Sequence, residues 1–429
     1  MKVSRCNIRK GWLTGEENRL INKRKDNMRI LIYTEEYYPT CAACSYRMQV
    51  IADAFIQQGH TVTVLTSARN KENGSISGRQ ERILYSPAIR MRKKTTIMRL
   101  LNNLSFGISS LFTALKIGKV DIVIVTSPPP LSTPFGEMIS RFKKADLVYD
   151  VRDIWPDVAL EMGSFSESSL FCKVFREITN KLYKRSDLIT TVSPGKVDKI
   201  KNKVANLPGR KSGPEHTDKV KFVGNGFDET ILQDPIDQKL IDQYQLNDIF
   251  TCVYIGNIGL AQGLDSLLTI ARETKNKDVR FLLFGTGAEK DMLEEKAKEI
   301  GNVSFCGVLP HEKVRSLLSA AKISFIPLKN SNMKDSIPTK IYEALGNGCP
   351  VLLMAEGDSC DIVKSSELGE TVSPDHPEQL SEVFDYMVEH YNKYETKKHK
   401  AMDLMIERYS RQKIAERFVK ELTTGDETK

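Results

Sequence analysis

Asp335-Ser-Ile-Pro338-Thr339-Lys340-Ile-Tyr-Glu343-Ala-Leu-Gly346-Asn-Gly348-Cys-Pro350-Val-Leu-Leu353 is the stretch whose reading decides the fold. It reads as a loop, a short helix, a glycine turn and a buried strand. Pro338 suits the first helical turn, where a missing N–H costs nothing. Ser336 or Asp335 stands where a side chain caps that helix. Gly346 and Gly348 end it, and Pro350 opens an apolar strand. A helix start of this kind presents unpaired backbone N–H groups, and Lys340 is beside them, so the pattern predicts an anion site. One turn further on, Glu343 is a carboxylate able to accept two hydrogen bonds from a vicinal diol. Phosphate at one end and diol at the other describe a nucleotide-sugar. The plainer alternative is an ordinary connection from a capped helix into a strand.

The flanking sequence repeats the same alternation. Met28–Tyr33 is a short apolar strand, followed by a loop from Thr34 to Ser45 and a helix over Tyr46–Gln58 that stops at Gly59. Thr61–Thr66 is the next strand, so the chain opens with a βαβ unit and a right-handed crossover. Asp121–Thr126, Ala145–Tyr149 and Ser186–Val192 are further apolar runs, continuous as in strands covered on both faces. Around residues 203–220 the pattern lapses into Gly/Pro-bearing polar sequence, and Val223-Gly-Asn-Gly-Phe-Asp228 follows a short strand. A second series begins at Phe250–Ile255 and continues through Val279–Phe284, Val303–Phe305, Ile323–Ile326 and Val351–Leu353. The reading is α/β: a first parallel-sheet domain over 28–222, a linker over 223–249, a second over 250–405, and a terminal helix and tail over 406–429. Two such sheets open a cleft at their C-terminal strand ends, where ligands of this architecture bind.

Composition narrows the class. The chain has 429 residues, 40% hydrophobic and 28% charged, as in globular proteins. No apolar run reaches the ~18 residues that span a bilayer. Residues 1–27 are basic and polar without the apolar middle of a signal peptide, and read as a disordered extension or a misassigned start, with Met28 opening the fold. The eight cysteines are scattered, which suggests reduced thiols in the cytoplasm. Cys41-Ala-Ala-Cys44 has metal or redox spacing but no matching second pair or histidines. The net charge of +8 fits either a nucleic-acid binder or an enzyme facing phosphates and anionic lipid. Its basic residues do not interleave with aromatics along any element, which disfavours nucleic acid.

The Asp335–Leu353 stretch resembles the donor-binding signature of GT-B glycosyltransferases of family 4, in which two acidic residues stand eight apart before a glycine turn. Asp335 and Glu343 hold those places, with aspartate where glutamate is usual. The Ile-Pro-Thr-Lys-Ile-Tyr-Glu wording is nearest the bacterial O-antigen, capsule and exopolysaccharide branch. The resemblance spans about residues 28–422. It implies a GT-B fold whose last helix, near Gln412–Leu422, crosses back to the first domain. It implies donor contacts from Asp335, Pro338, Thr339, Lys340 and Glu343. The strand-to-helix turn Gly256-Asn257-Ile-Gly259 would lie against the donor diphosphate, with Gln262 where relatives carry a lysine. Phe284-Gly285-Thr-Gly287 resembles the loop bordering the base. It is no dinucleotide fingerprint, since Lys290 holds the third glycine's place, which argues against a nicotinamide enzyme.

In the first domain, Asp150-Val-Arg152-Asp153-Ile-Trp155-Pro-Asp157 closes a strand and points into the cleft. Asp153 is read as holding a sugar hydroxyl or the attacking one, and Arg152 a phosphate; the alternative is an Arg–Asp structural pair with Trp155 in the core. Catalytic roles thus fall to Arg152, Asp153, Lys340 and Glu343, and the acceptor side to Ser45, Arg47 and Trp155. His60 is read as structural, capping a helix end. Basic residues Arg90, Arg92, Lys93, Lys94 and Arg99 adjoin a long apolar helix over Ile97–Ile117, which suits either an anionic membrane surface or a sheet-covering role.

The function so implied is a retaining transfer of a hexose or N-acetylhexosamine from a nucleotide-sugar, UDP-linked by default, to a lipid-linked glycan acceptor, with the enzyme cytoplasmic or peripheral on the inner membrane. Nothing in the sequence calls for a divalent ion or for a cofactor beyond the substrate. A GT-B nucleotide-sugar epimerase and a non-catalytic subunit of a glycan-assembly complex are the other readings.

Overall fold

The computed structural model describes residues 27–424 apart from 40–42, 74–77, 91–94, 162, 164 and 208–216. The basic extension before Asn27, Cys41, Arg92, Lys93, Lys94 and most of the polar stretch after Leu207 therefore lie outside the described residues.

Seven parallel strands build the first domain: β1 (Arg29–Tyr33), β2 (Thr61–Ser67), β3 (Arg82–Ser86), β4 (Ile122–Ser127), β5 (Asp146–Val151), β6 (Leu188–Thr191) and β7 (Val220–Phe222), in the order β3-β2-β1-β4-β5-β6-β7. Six build the second: β8 (Thr251–Ile255), β9 (Arg280–Phe284), β10 (Val303–Phe305), β11 (Ile323–Pro327), β12 (Val351–Met354) and β13 (Gly369–Val372), in the order β10-β9-β8-β11-β12-β13. The direction of strand addition reverses between β1 and β4, and again between β8 and β11. At such switch points the connections leave on opposite faces and a crevice opens beyond the strand ends. The central strands are largely buried and mostly apolar because helices cover both faces; all six residues of β4 are buried.

The expected linker is mostly second-domain core. Phe227, Ile231, Leu240, Ile241 and Leu246 pack with β8, β9 and β11. The joint itself is short. Phe227 N–H donates to Tyr409 O at 2.6 Å, and Arg411 N–H to Phe227 O at 2.8 Å, tying both chain crossings together. The Arg411 guanidinium adds bonds to Asn225 O and Asp228 Oδ2. Beyond it, the helix Arg411–Thr424 crosses back, burying Ala415, Phe418, Val419 and Leu422 against Met48, Ile51 and Phe55 of the first domain.

Of the two glycines expected to end the helix, one does so and one does not. Gly348 (φ 70°) follows the end of the helix Thr339–Gly346, as a left-handed terminator does. Gly346 is inside the helix, and a Cβ there would lie 2.4 Å from the Phe227 ring, so its job is close packing. His60 does not cap the preceding helix, whose end is closed by backbone bonds from Gly59 and His60 N–H groups. Its Nδ1 instead accepts from Met28 N–H at 3.3 Å, and burial lowers its pKa.

The long apolar helix, Thr96–Ala114, does cover the sheet, through Phe106 and Ala114. Its opposite face carries Ile97, Leu101, Leu104, Ile108, Phe112 and Leu115, all exposed, with Met138 and Phe142 of the adjacent helix Thr133–Lys143. Among the described residues no helix is long and apolar enough to cross a membrane.

Candidate active site

On the second domain's side the helix Thr339–Gly346 brings Thr339 and Glu343 to the cleft, and the turns leaving β8 and β9 pack beside its start. Neither Asp335 nor Ser336 caps that helix: no side chain accepts from its first turn. Its leading N–H groups are therefore available to an anion. Lys340 folds back from the helix to lie over the Tyr254 ring, 4.1 Å from its centroid. The ammonium donates to Tyr254 Oη at 2.7 Å and to Gln262 Oε1 at 3.1 Å, while Tyr254 donates to Asn257 O at 2.6 Å. Gln262, standing where relatives have a lysine, here accepts from a lysine that arrives from another element. Burial pushes the Lys340 pKa down to about 7, with Glu343 partly opposing. Tyr254 was missed by sequence reasoning; its signal was a hydroxyl-bearing ring near the end of an otherwise apolar strand.

Glycine is required where Lys340 passes. Gly256 has φ 138°, and a Cβ there would meet Lys340 Cε at 2.5 Å. Gly285 and Gly287 have a packing reason of their own. A Cβ on Gly285 would lie 1.8 Å from Gly256 O, and one on Gly287 2.0 Å from Ile258 O, so the two glycine turns press backbone to backbone.

Glu343 faces a cleft enclosing about 140 Å³, lined also by Tyr46, Arg47, Asn225, His311, Thr339 and Arg411. Tyr46 of the first domain stacks on His311 of the second at 5.2 Å and 27°, closing one side. A drug-sized ligand needs roughly 300–1,000 Å³, more than this cleft encloses.

The first domain's wall departs from expectation. Arg47 lines the cleft, but its guanidinium is buried and bonded to Asp150, Gly224 O and Asn225 Oδ1, so it does not face an acceptor freely. Burial pushes the Asp150 carboxyl up, and Arg47 with Thr190 more than offsets this, holding it below its usual range. Ser45 is fully buried and accepts from Gln49 one helical turn on. Trp155, half-buried, packs on Phe175 at 5.3 Å with its indole N–H buried. Arg152 and Asp153 are not paired to each other. Arg152 bonds Thr126 Oγ1 and Pro128 O, and Asp153, half-exposed, has Lys196 at 3.7 Å. Asp335 is buried, its carboxylate on Lys199 of the first domain at 2.9 Å, so it does not line the cleft with Glu343.

Two parallel-sheet domains facing across a cleft, with a C-terminal helix returning to the first, define the GT-B architecture. Comparison with known proteins agrees. Residues 237–403 match the glycosyl transferases group 1 family. The chain is 23% identical over 350 residues to the protein named colanic acid biosynthesis glycosyl transferase WcaI of Escherichia coli K12, covering 77% of this chain and 84% of that one. It is 22% identical over 305 residues to the glycosyltransferase named WbjE of Pseudomonas aeruginosa, covering 67% and 72%. Among solved structures, Anabaena HepE in complex with UDP and glucose superposes with a TM-score of 0.70 at 16% identity, over 92% of this chain and 100% of that one. The fold is GT-B, and residues 237–403, within the second half of the chain, carry the match to the glycosyl transferases group 1 family.

Proposed function

We propose that the protein transfers a hexose or N-acetylhexosamine, with retention at the anomeric carbon, from a UDP-sugar to a lipid-linked glycan during surface polysaccharide assembly. The observation that carries this is Lys340, held between Tyr254 and Gln262 at an uncapped helix start, with Glu343 one turn further along. Breaking the donor's glycosidic bond leaves negative charge on the departing diphosphate while the sugar becomes oxocarbenium-like. An ammonium and preoriented peptide N–H groups stabilise that charge as it grows. Glu343 accepts from the ribose hydroxyls. The departing phosphate oxygen takes the proton of the acceptor hydroxyl, which attacks the same face, so no carboxylate nucleophile is needed; double displacement by a carboxylate pair would require two carboxyls about 5–5.5 Å apart. Arg152 and Asp153, at the end of β5, are the first-domain groups nearest this chemistry in the sequence reading, on a phosphate and a sugar hydroxyl respectively. WcaI, named for colanic acid biosynthesis, and HepE, solved with UDP, support the pathway and the nucleotide.

The outward apolar stripe of Thr96–Ala114 supports docking of the first domain on an anionic membrane leaflet. Exposed Arg99, Lys116, Lys119, Arg141 and Lys144 surround it, matching headgroup charge around an apolar insert. Co-sedimentation with phosphatidylglycerol vesicles, absent with phosphatidylcholine and lost in Ile108→Ser/Phe112→Ser, is the expected result. Equal binding to both vesicles, or to neither, removes this part.

A thermal-shift panel of nucleoside diphosphates and nucleotide-sugars tests the donor, since saturation at a hundredfold excess over Kd adds about 2.7 kcal/mol. UDP and one UDP-sugar should stabilise, and NMR of the product should show a retained anomer. Epimerised nucleotide-sugar formed without acceptor would point to the epimerase instead, and no turnover of any donor to a non-catalytic subunit.

A further inference from the structure

On the cleft side away from Tyr46 and His311, the helix Pro194–Ala205 of the first domain meets the segment that leads into the donor helix. Ser193 caps Pro194–Ala205, its Oγ accepting from Lys196 N–H at 3.3 Å, and the same hydroxyl donates to Asp335 O at 2.5 Å. Lys199, a turn along, reaches Asp335 Oδ2 at 2.9 Å and Glu161 of its own domain at 3.0 Å. Gly195 N–H donates to Asp358 Oδ2 at 2.7 Å, and a Cβ on Gly195 would lie 3.0 Å from both Asp335 Cβ and Asp358 Oδ2. From the second domain's side, Asp358 N–H bonds Lys334 O at 2.9 Å and Ser359 Oγ donates to Ser336 O at 2.5 Å.

Lys334–Ser336 is thus clasped from both domains, just before Thr339 and Lys340. Half of that clasp exists only while the domains are together. We propose that Ser193, Lys199 and Asp335 are positioning residues: domain closure docks Pro194–Ala205 onto Lys334–Ser336 and so fixes the donor helix start for turnover. Asp335 acts through this contact rather than by holding the donor. The proposal rests on the reading of Thr339–Gly346 as the diphosphate site. Nucleotide capture happens in the opened cleft, so the clasp governs kcat and not the affinity for free nucleotide.

The test compares Lys199→Glu, Lys199→Arg and the swap Lys199→Glu/Asp335→Lys, with Lys199→Met standing in if Lys199→Glu fails to fold. Small-angle scattering, hydrogen exchange of peptides covering 334–341, UDP calorimetry and donor kcat are measured on each. Lys199→Glu should enlarge the radius of gyration, quicken exchange at 334–341 and lower kcat, each of the last two by about tenfold or more, with UDP Kd within about twofold. Lys199→Arg should behave as wild type, and the swap should recover compactness, protection and kcat together. A compact, protected Lys199→Glu protein, or a swap that recovers nothing, overturns the proposal; the latter result would return Asp335 to the donor. If UDP binds nowhere and no donor turns over, the donor-site reading falls, while scattering and exchange still judge the clasp.

Discussion

The second domain brings Thr339 and Glu343 to the cleft and holds the Lys340 ammonium behind them beside two glycine turns, whereas the first domain turns its polar side chains inward to bond one another. On the proposed reading, a diphosphate of one shape and charge is met by backbone and a single cation. The opposite wall serves the fold first: Arg47 neutralises Asp150, Ser45 satisfies Gln49 and Trp155 packs on Phe175. Polar residues at a strand end therefore need not mark a ligand: on the first domain's side they make structural bonds.

This contrast breaks most clearly at Arg47. Arg47→Ala leaves Asp150 buried without its cation and should cost about 3–5 kcal/mol of stability. Chemical denaturation checks this, and the folded fraction should still bind UDP. Lys340→Ala should do the reverse. Losing a cation at the developing charge lowers turnover by roughly 10²–10³, with no loss of stability like that of Arg47→Ala. Both variants losing stability and neither losing turnover selectively would erase the difference between the walls. Gly256→Ala sharpens it, since the methyl meets Lys340 Cε at 2.5 Å. Shifting that side chain should reduce kcat/KM about tenfold, roughly 1.4 kcal/mol, and Lys340→Ala in the same chain should add little more than it does alone.

The smallest effect is on pH. Free Lys340 titrates at about 7 because it is buried, and a bound diphosphate favours its ammonium form. UDP binding should therefore weaken as the pH rises above about 7, by up to tenfold per unit, with proton uptake seen as buffer-dependent heat. The unliganded protein shows the opposite sign. Its folded-state pKa lies below the unfolded value, so the unfolded chain holds more protons between the two, and Lys340's contribution to stability rises with pH from about 7. Comparison with Lys340→Met isolates this part; a flat difference contradicts it.

The second domain's side was easier to read because its groups are local. Pro338, Lys340, Glu343 and Gly348 lie within one helix and its turns, and a sequence window contains them all. The first domain's side was not, because Arg47 and Asp150 are far apart in sequence and nothing near either announces the other. Lys199 and Asp335 are likewise joined only by the packing of two domains, and Asp335 read alone looked like a ligand or a cap. Among strands, β3 and β13 escaped notice for a simpler reason. Both lie at sheet edges, where Arg82–Ser86 is half-exposed and Gly369–Val372 is four residues long with polar Glu370 and Thr371, so neither shows the apolar run of a central strand. The linker was overdrawn because Ile231, Leu240 and Leu246 are sparse in sequence yet converge on one core.

A crystal structure with UDP is the most direct trial of the account. The diphosphate should sit within hydrogen-bond distance of Lys340 Nζ and the N–H groups at Thr339 and Lys340, beside the Gly256–Gly259 turn, with the ribose hydroxyls on Glu343. A nucleotide bound elsewhere, or bound there with Glu343 directed away from the ribose, would contradict it.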